Sequence, residues 1–352
     1  MVRHRRNGKG CKQGNTGTKG CAVYYDNDLP LGSRICFNFL GGVIGFFVLS
    51  SYFLTRKVMR NDVLSFEEQV KYRLKRLYPA YLVLIVIAFL ASLWRRLVPW
   101  DIVIYIAFFQ NITWRFPVGE MSMAQMMAHT WTLCIEVWMG SVWLFLLMRI
   151  RKEYWKTLCY IAIVCSIVWR IFIVFDGHNR AWISMLPVSY ADIFALGTLL
   201  AIKENDKKKA LWDYICGAVG IVGIGITWIY LAVHNEKSMW GGYILFGGSS
   251  YYLSNIFTVN IYFYIGLLFY AIISEMEHVF GRKECAAVKL FSWIGNCSYE
   301  LYLFHYPFLT ILVQAGLWRK WYQNFVVCLF GAAAVTFVWH RIGKLLTKGR
   351  FT

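Results

Sequence analysis

Trp131-Thr132-Leu133-Cys134-Ile135-Glu136-Val137-Trp138-Met139-Gly140-Ser141-Val142-Trp143-Leu144-Phe145-Leu146-Leu147-Met148 is an apolar run long enough to cross a bilayer, and it holds one carboxylate. An ionised side chain at membrane depth costs several kcal/mol unless it is paired or used, so Glu136 is at once a mark of a membrane span and a candidate functional residue. The plainer alternative is a glutamate hydrogen-bonded to a neighbouring helix for structure alone.

The rest of the chain has the same character. Its 352 residues are 58% apolar, 18% aromatic and only 16% charged, with a mean hydropathy of +0.47. A soluble domain carries about 25% charge. Apolar runs near 35–54, 77–98, 131–149, 156–175, 184–202, 211–233, 254–274, 290–312 and 324–345 predict an all-α polytopic membrane bundle of about nine spans. The short apolar stretch 100–112 reads as re-entrant or interfacial.

The net charge of +18 lies in short basic clusters between these runs, among them Arg56 and Lys57, Lys71 to Arg76, Arg149 to Lys156, Lys203 to Lys209 and Arg282 to Lys289. Such clusters mark cytoplasmic loops rather than a nucleic-acid face. They put the C-terminus, with Lys344, Lys348 and Arg350, on the cytoplasmic side of a plasma membrane. The ten cysteines are scattered without metal-ligand spacing, so neither a disulfide framework nor a metal is expected.

Residues 1–34 conflict with this arrangement. The segment is strongly basic and should stay inside, yet the first span, 35–54, must begin outside. One more helix before residue 35 would resolve the conflict. We therefore expect 1–34 to be a disordered or non-native segment, with 35–352 as the transmembrane domain.

Three further groups of polar residues stand near or within the spans. Arg73 and Arg76, ahead of Leu77-Tyr78-Pro79, would share a face just before a helix that starts with proline. Forked donors beside the positive end of a helix suit a ligand bearing several phosphates, such as an acyl-CoA. Lipid head-group anchoring is the simpler use of any one juxtamembrane arginine. Arg170 and Asp192 fall at similar depth in adjacent antiparallel spans, which predicts a salt bridge. His305 lies in Ser298-Tyr299-Glu300-Leu301-Tyr302-Leu303-Phe304-His305-Tyr306-Pro307, and His129 stands seven residues before Glu136. Either could be catalytic; the simpler readings are a hydrogen-bonded core residue for His305 and a solvent-exposed one for His129.

Taken in order, these motifs resemble the membrane-bound acyltransferase family 3, the O-antigen and exopolysaccharide O-acetylase type. Gly42-Val43-Ile44-Gly45-Phe46-Phe47-Val48-Leu49-Ser50-Ser51-Tyr52-Phe53-Leu54 resembles its G-V-x-x-F-F-V-L-S-G-F-L segment. Arg73-x-x-Arg76-Leu77-x-Pro79, Trp131-Thr132-Leu133-x-x-Glu136, Asp192 through Ala201, and Ser298 through Pro307 resemble four more of its motifs. The resemblance implies ten helices, acyl-CoA (acetyl-CoA by family analogy) as donor, and transfer to a hydroxyl of a surface polysaccharide or lipid-linked glycan. It implies donor-binding roles for Arg73 and Arg76 and a site role for Glu136. It also implies a basic histidine in a first helix, in a pattern like R-x(10)-H. His4 follows no apolar run and does not match it, and Ser51 replaces a usual glycine. Activity of this chain is therefore in doubt, and transfer would require His305 or His129 as the base. The competing readings are a non-enzymatic transporter or flippase for a lipid-linked glycan, and an inactive remnant.

Overall fold

The computed structural model describes residues 40–60, 65–94, 102–113, 126–176, 181–203, 210–234, 255–280, 286–314 and 321–348. All regular structure among them is helical. The segment 1–34, with the expectations placed on it, lies outside the described residues. The helices are α1 (Leu40–Met59), α2 (Phe66–Trp94), the short α3 (Ile102–Ile106) and α4 (Gln110–Thr113), α5 (Trp131–Arg149), α6 (Trp155–Asp176), the short α7 (Ala181–Met185), α8 (Ala191–Lys203), α9 (Ala210–His234), α10 (Ile261–Phe280), α11 (Ala286–Gln314) and α12 (Trp321–Lys348). Among the described residues, five helices are long and apolar enough to cross a membrane: α1, α2, α5, α6 with the turn before it, and α9. The protein is an all-α polytopic membrane bundle.

Two expectations about helix starts need correction. The run 184–202 is not one helix. Pro187 opens a 3-10 turn over Pro187–Tyr190 that separates α7 from α8, because proline disfavours the α conformation in the residue before it and cannot donate to a helical ladder. The basic run before 77–98 is itself helical: α2 starts at Phe66, about two turns ahead of Arg73, and Pro79 lies in its interior. Arg73 and Arg76 therefore draw nothing from a helix N-terminus. The stretch 100–112 is a short reversal, with α3 and α4 joined through Phe108 at φ 57°. That strained backbone is held by packing. The Phe108 ring stacks on Tyr81 with centroids 4.7 Å apart, and its carbonyl accepts from Trp138 Nε1 at 2.9 Å.

Two apolar cores fill the bundle. One gathers side chains of α1, α5, α6, α8 and α10, the other those of α2, α3, α5, α11 and α12. Helix α5 is the seam between them: Ile135, Met139 and Trp143 face the first core, Leu133 and Cys134 the second. This explains why α5 is apolar on every side. Close helix approach depends on glycine. A Cβ at Gly197 of α8 would lie 2.3 Å from the Val48 carbonyl of α1, the small-residue contact expected where lipid gives no hydrophobic drive to helix pairing. Outward faces of α6 and α9 leave Val164, Phe172, Val222 and Ile229 exposed, the surface a bilayer covers.

Among the described residues, the basic side chains of Arg56, Lys152 and Lys203 are held at helix ends. Lys152 Nζ donates to the Met59 carbonyl at 3.3 Å, tying the turn after α5 to the end of α1. Arg56 pairs with Glu277 at 2.5 Å, and Lys203 pairs with Asp213.

Candidate functional site

Glu136 sits on the α5 seam, about 20 Å along the helix from Arg149 at the basic end. It is 7% exposed. Its Oε1 accepts from Ser50 Oγ of α1 at 2.8 Å and from Arg73 Nη2 of α2 at 3.4 Å. Arg73 Nη2 also donates to Ser50 Oγ at 3.1 Å, and Nη1 to the Glu136 carbonyl at 3.4 Å. Three helices thus place a carboxylate, a guanidinium and a hydroxyl together inside the bundle. Oε2 of Glu136 is buried and has no partner among the described residues, so one carboxylate oxygen is free to accept.

Gly140 makes this geometry possible. One turn beyond Glu136, its missing side chain leaves the space that Arg73 fills: a Cβ there would fall 1.9 Å from Nη1 and 2.8 Å from Cζ.

Arg76 is not part of the cluster. It is exposed and makes no ion pair among the described residues, whereas Arg73 is half-buried against α5. The shared face expected from their spacing is thus divided, with one arginine turned inward and one outward.

His129 and His305 come together, although 129 lies in the 3-10 turn before α5 and 305 in α11. Their ring centroids are 5.4 Å apart, edge to face. His129 is 7% exposed, which overturns the expectation of a solvent-exposed residue, because α11 packs over the turn. Thr132 connects this pair with the charged cluster. It stands one turn before Glu136, and its Oγ1 lies 2.5 Å from the Tyr302 hydroxyl, which donates to the His129 carbonyl at 2.6 Å. Polar groups therefore run along the α5 seam from Arg73 to the histidines.

The expected pair of Arg170 and Asp192 forms with both side chains fully buried. Ser166 Oγ and the Ile193 N–H donate to Asp192 Oδ1 at 3.2 and 2.9 Å, and Arg170 Nη1 donates to the Ser189 carbonyl at 3.1 Å. It ties α6 to α8 and to the 3-10 turn before it.

Sequence reasoning missed the roles of Ser50 and Gly140. Ser50 had a signal, a hydroxyl in an apolar run; Gly140 had none, because its value lies in what it leaves empty.

A family model described as an acyltransferase domain matches residues 21–342. The chain is 24% identical over 337 residues to the peptidoglycan O-acetyltransferase OatA of Listeria monocytogenes, a match covering 84% of this chain and 50% of that protein. It is 23% identical over 298 residues to the O-acetyltransferase OatA of Staphylococcus aureus, covering 77% of this chain and 47% of that protein. The chain spans about half the length of the curated relatives it matches. No solved structure matches it.

Proposed function

The chain belongs to the acyltransferase family 3, and from that premise we propose that it is an integral membrane O-acyltransferase. In this reading it moves an acetyl group from acetyl-CoA to a hydroxyl of a cell-surface polysaccharide or lipid-linked glycan. The observation that carries the proposal is the Arg73–Ser50–Glu136 cluster, built by three helices inside a bundle where an isolated charge would be costly. The similarity to O-acetyltransferases, at 23–24% identity, supports the same class.

The bundle lies in the plasma membrane with its basic end and C-terminus in the cytoplasm, in keeping with positive-inside bias. Acyl-CoA approaches from that end. Exposed Arg76 meets its phosphates, and Arg73, oriented by Glu136, meets the part of the ligand nearer the thioester. Transfer then needs a base for the acceptor hydroxyl and donors for the oxyanion of the tetrahedral intermediate. His305 is the base in this reading, an imidazole suiting that task at neutral pH.

The experiment is acetyl-CoA turnover by the full chain in lipid nanodiscs with a cell-envelope glycan fraction. Release of CoA thiol in step with formation of acetyl ester on the glycan supports the proposal. In sealed vesicles holding the same chain, movement of glycan across the membrane without CoA release would favour a transporter, and neither activity would favour an inactive remnant.

A further inference from the structure

Pro307 lies inside α11, two residues after His305. Proline has no N–H, so the carbonyl four residues back, that of Leu303, loses its helical donor. Another segment fills the gap: Nε2 of His129 is 3.0 Å from the Leu303 oxygen. A carbonyl only accepts, so Nε2 carries the proton and Nδ1 holds the lone pair. That Nδ1 is buried with no partner among the described residues. The His129 carbonyl accepts from Tyr302 at 2.6 Å and Thr132 at 3.3 Å, and Tyr306 stacks on the ring at 4.9 Å.

The same logic sets His305. Its Nδ1 is 2.5 Å from the Tyr302 carbonyl, so Nδ1 donates and Nε2 keeps the lone pair. Tyr302 thus grips both histidines, one through its hydroxyl and one through its carbonyl. His305 is the less buried of the two.

We infer that His129 is a positioning residue for acyl transfer: latched to the carbonyl that Pro307 frees, it braces His305 so that the Nε2 lone pair faces the acceptor hydroxyl. This rests on the acyltransferase reading above. As the acceptor oxygen adds to the thioester carbonyl, its proton passes to His305 Nε2. The C–S bond then breaks, and the CoA thiolate leaves and takes that proton back as the free thiol. A His305 ring turned the other way would present an N–H there, which cannot accept a proton.

The test uses the full chain in nanodiscs. In solid-state NMR with labelled histidine, seven residues are to be distinguished, and the spectrum of His129→Gln identifies the signals of 129. The expected wild-type spectrum has His129 protonated at Nε2 and His305 at Nδ1. In acetyl-CoA turnover, Pro307→Ala restores the missing N–H, reclaims the Leu303 carbonyl and lowers kcat at least tenfold, with KM for acetyl-CoA within threefold of wild type. His129→Ala does the same. His129→Gln, whose amide N–H reaches the Leu303 carbonyl, loses no more than about threefold.

A His129 protonated at Nδ1, or Pro307→Ala at wild-type kcat, would overturn the latch. His129→Gln as impaired as His129→Ala would overturn positioning, since His129 would then act chemically. The stated tautomers in a wild-type protein that turns over no acetyl-CoA would overturn the function reading, and with it the role given to His129.

Discussion

Arg73 and Glu136 are 63 residues apart in the chain and meet as an ion pair of 3.4 Å inside the bundle, with Ser50 hydrogen-bonded to both. The pair explains how two charges are kept at membrane depth, each lowering the cost of the other. Replacing Glu136 with glutamine keeps the shape and removes the charge. Glu136→Gln is expected to lower acetyl-CoA turnover at least tenfold, read as CoA thiol release. An unaffected rate would remove Glu136 from the mechanism.

Gly140→Ala puts a methyl group where the Arg73 guanidinium now lies. Arg73 has to move away from the Glu136 carbonyl, and KM for acetyl-CoA is expected to rise at least fivefold. Gly225→Ala is the control: a Cβ there meets nothing within 4 Å. It should leave turnover unchanged and raise helix stability by roughly 0.5–1 kcal/mol.

Arg170 and Asp192 form a fully buried pair, so either single change strands a charge. Asp192→Ala or Arg170→Ala is expected to cost about 3–5 kcal/mol, seen as a lowered unfolding midpoint in detergent. The double exchange, Arg170→Asp with Asp192→Arg, should recover part of the loss. Failure of the double exchange to improve on either single reversal would count against the pair as the source of stability.

Gly197→Ala should be among the most damaging small substitutions. The added methyl would meet the Val48 carbonyl at 2.3 Å and the Ser51 hydroxyl at 2.6 Å. Backbone cannot yield as a flexible side chain can, so α1 and α8 must separate. A fall in the unfolding midpoint larger than that of Gly140→Ala, where the neighbour is a movable arginine, is the expected result.

The length of the apolar runs and the low charge were enough to identify the membrane bundle, and α5 begins and ends where its sequence implies. The Arg170–Asp192 pair was legible too, because helical rise alone sets their depth in adjacent spans. The division of 184–202 at Pro187 and the early start of α2 at Phe66 were not, since an apolar window registers neither a proline break nor a helix that continues through charged residues.

What the sequence determined by itself was the class of the protein, the order of its spans and which charges stand at membrane depth: Glu136, Arg170 and Asp192. Lipid leaves a buried charge few alternatives, so composition and spacing were sufficient for that much. Arg170 and Asp192 are matched by depth alone, but tertiary structure decided the partners of Glu136, Arg73 and the histidines. Arg73 turns inward to Glu136 while Arg76 stays exposed, because Gly140 leaves room for one guanidinium. His129 reaches Leu303 because Pro307, in a different helix, leaves a carbonyl without its donor. Both depend on a group that is missing, a side chain at 140 and an N–H at 307, and such a gap gains meaning only when another segment is packed against it.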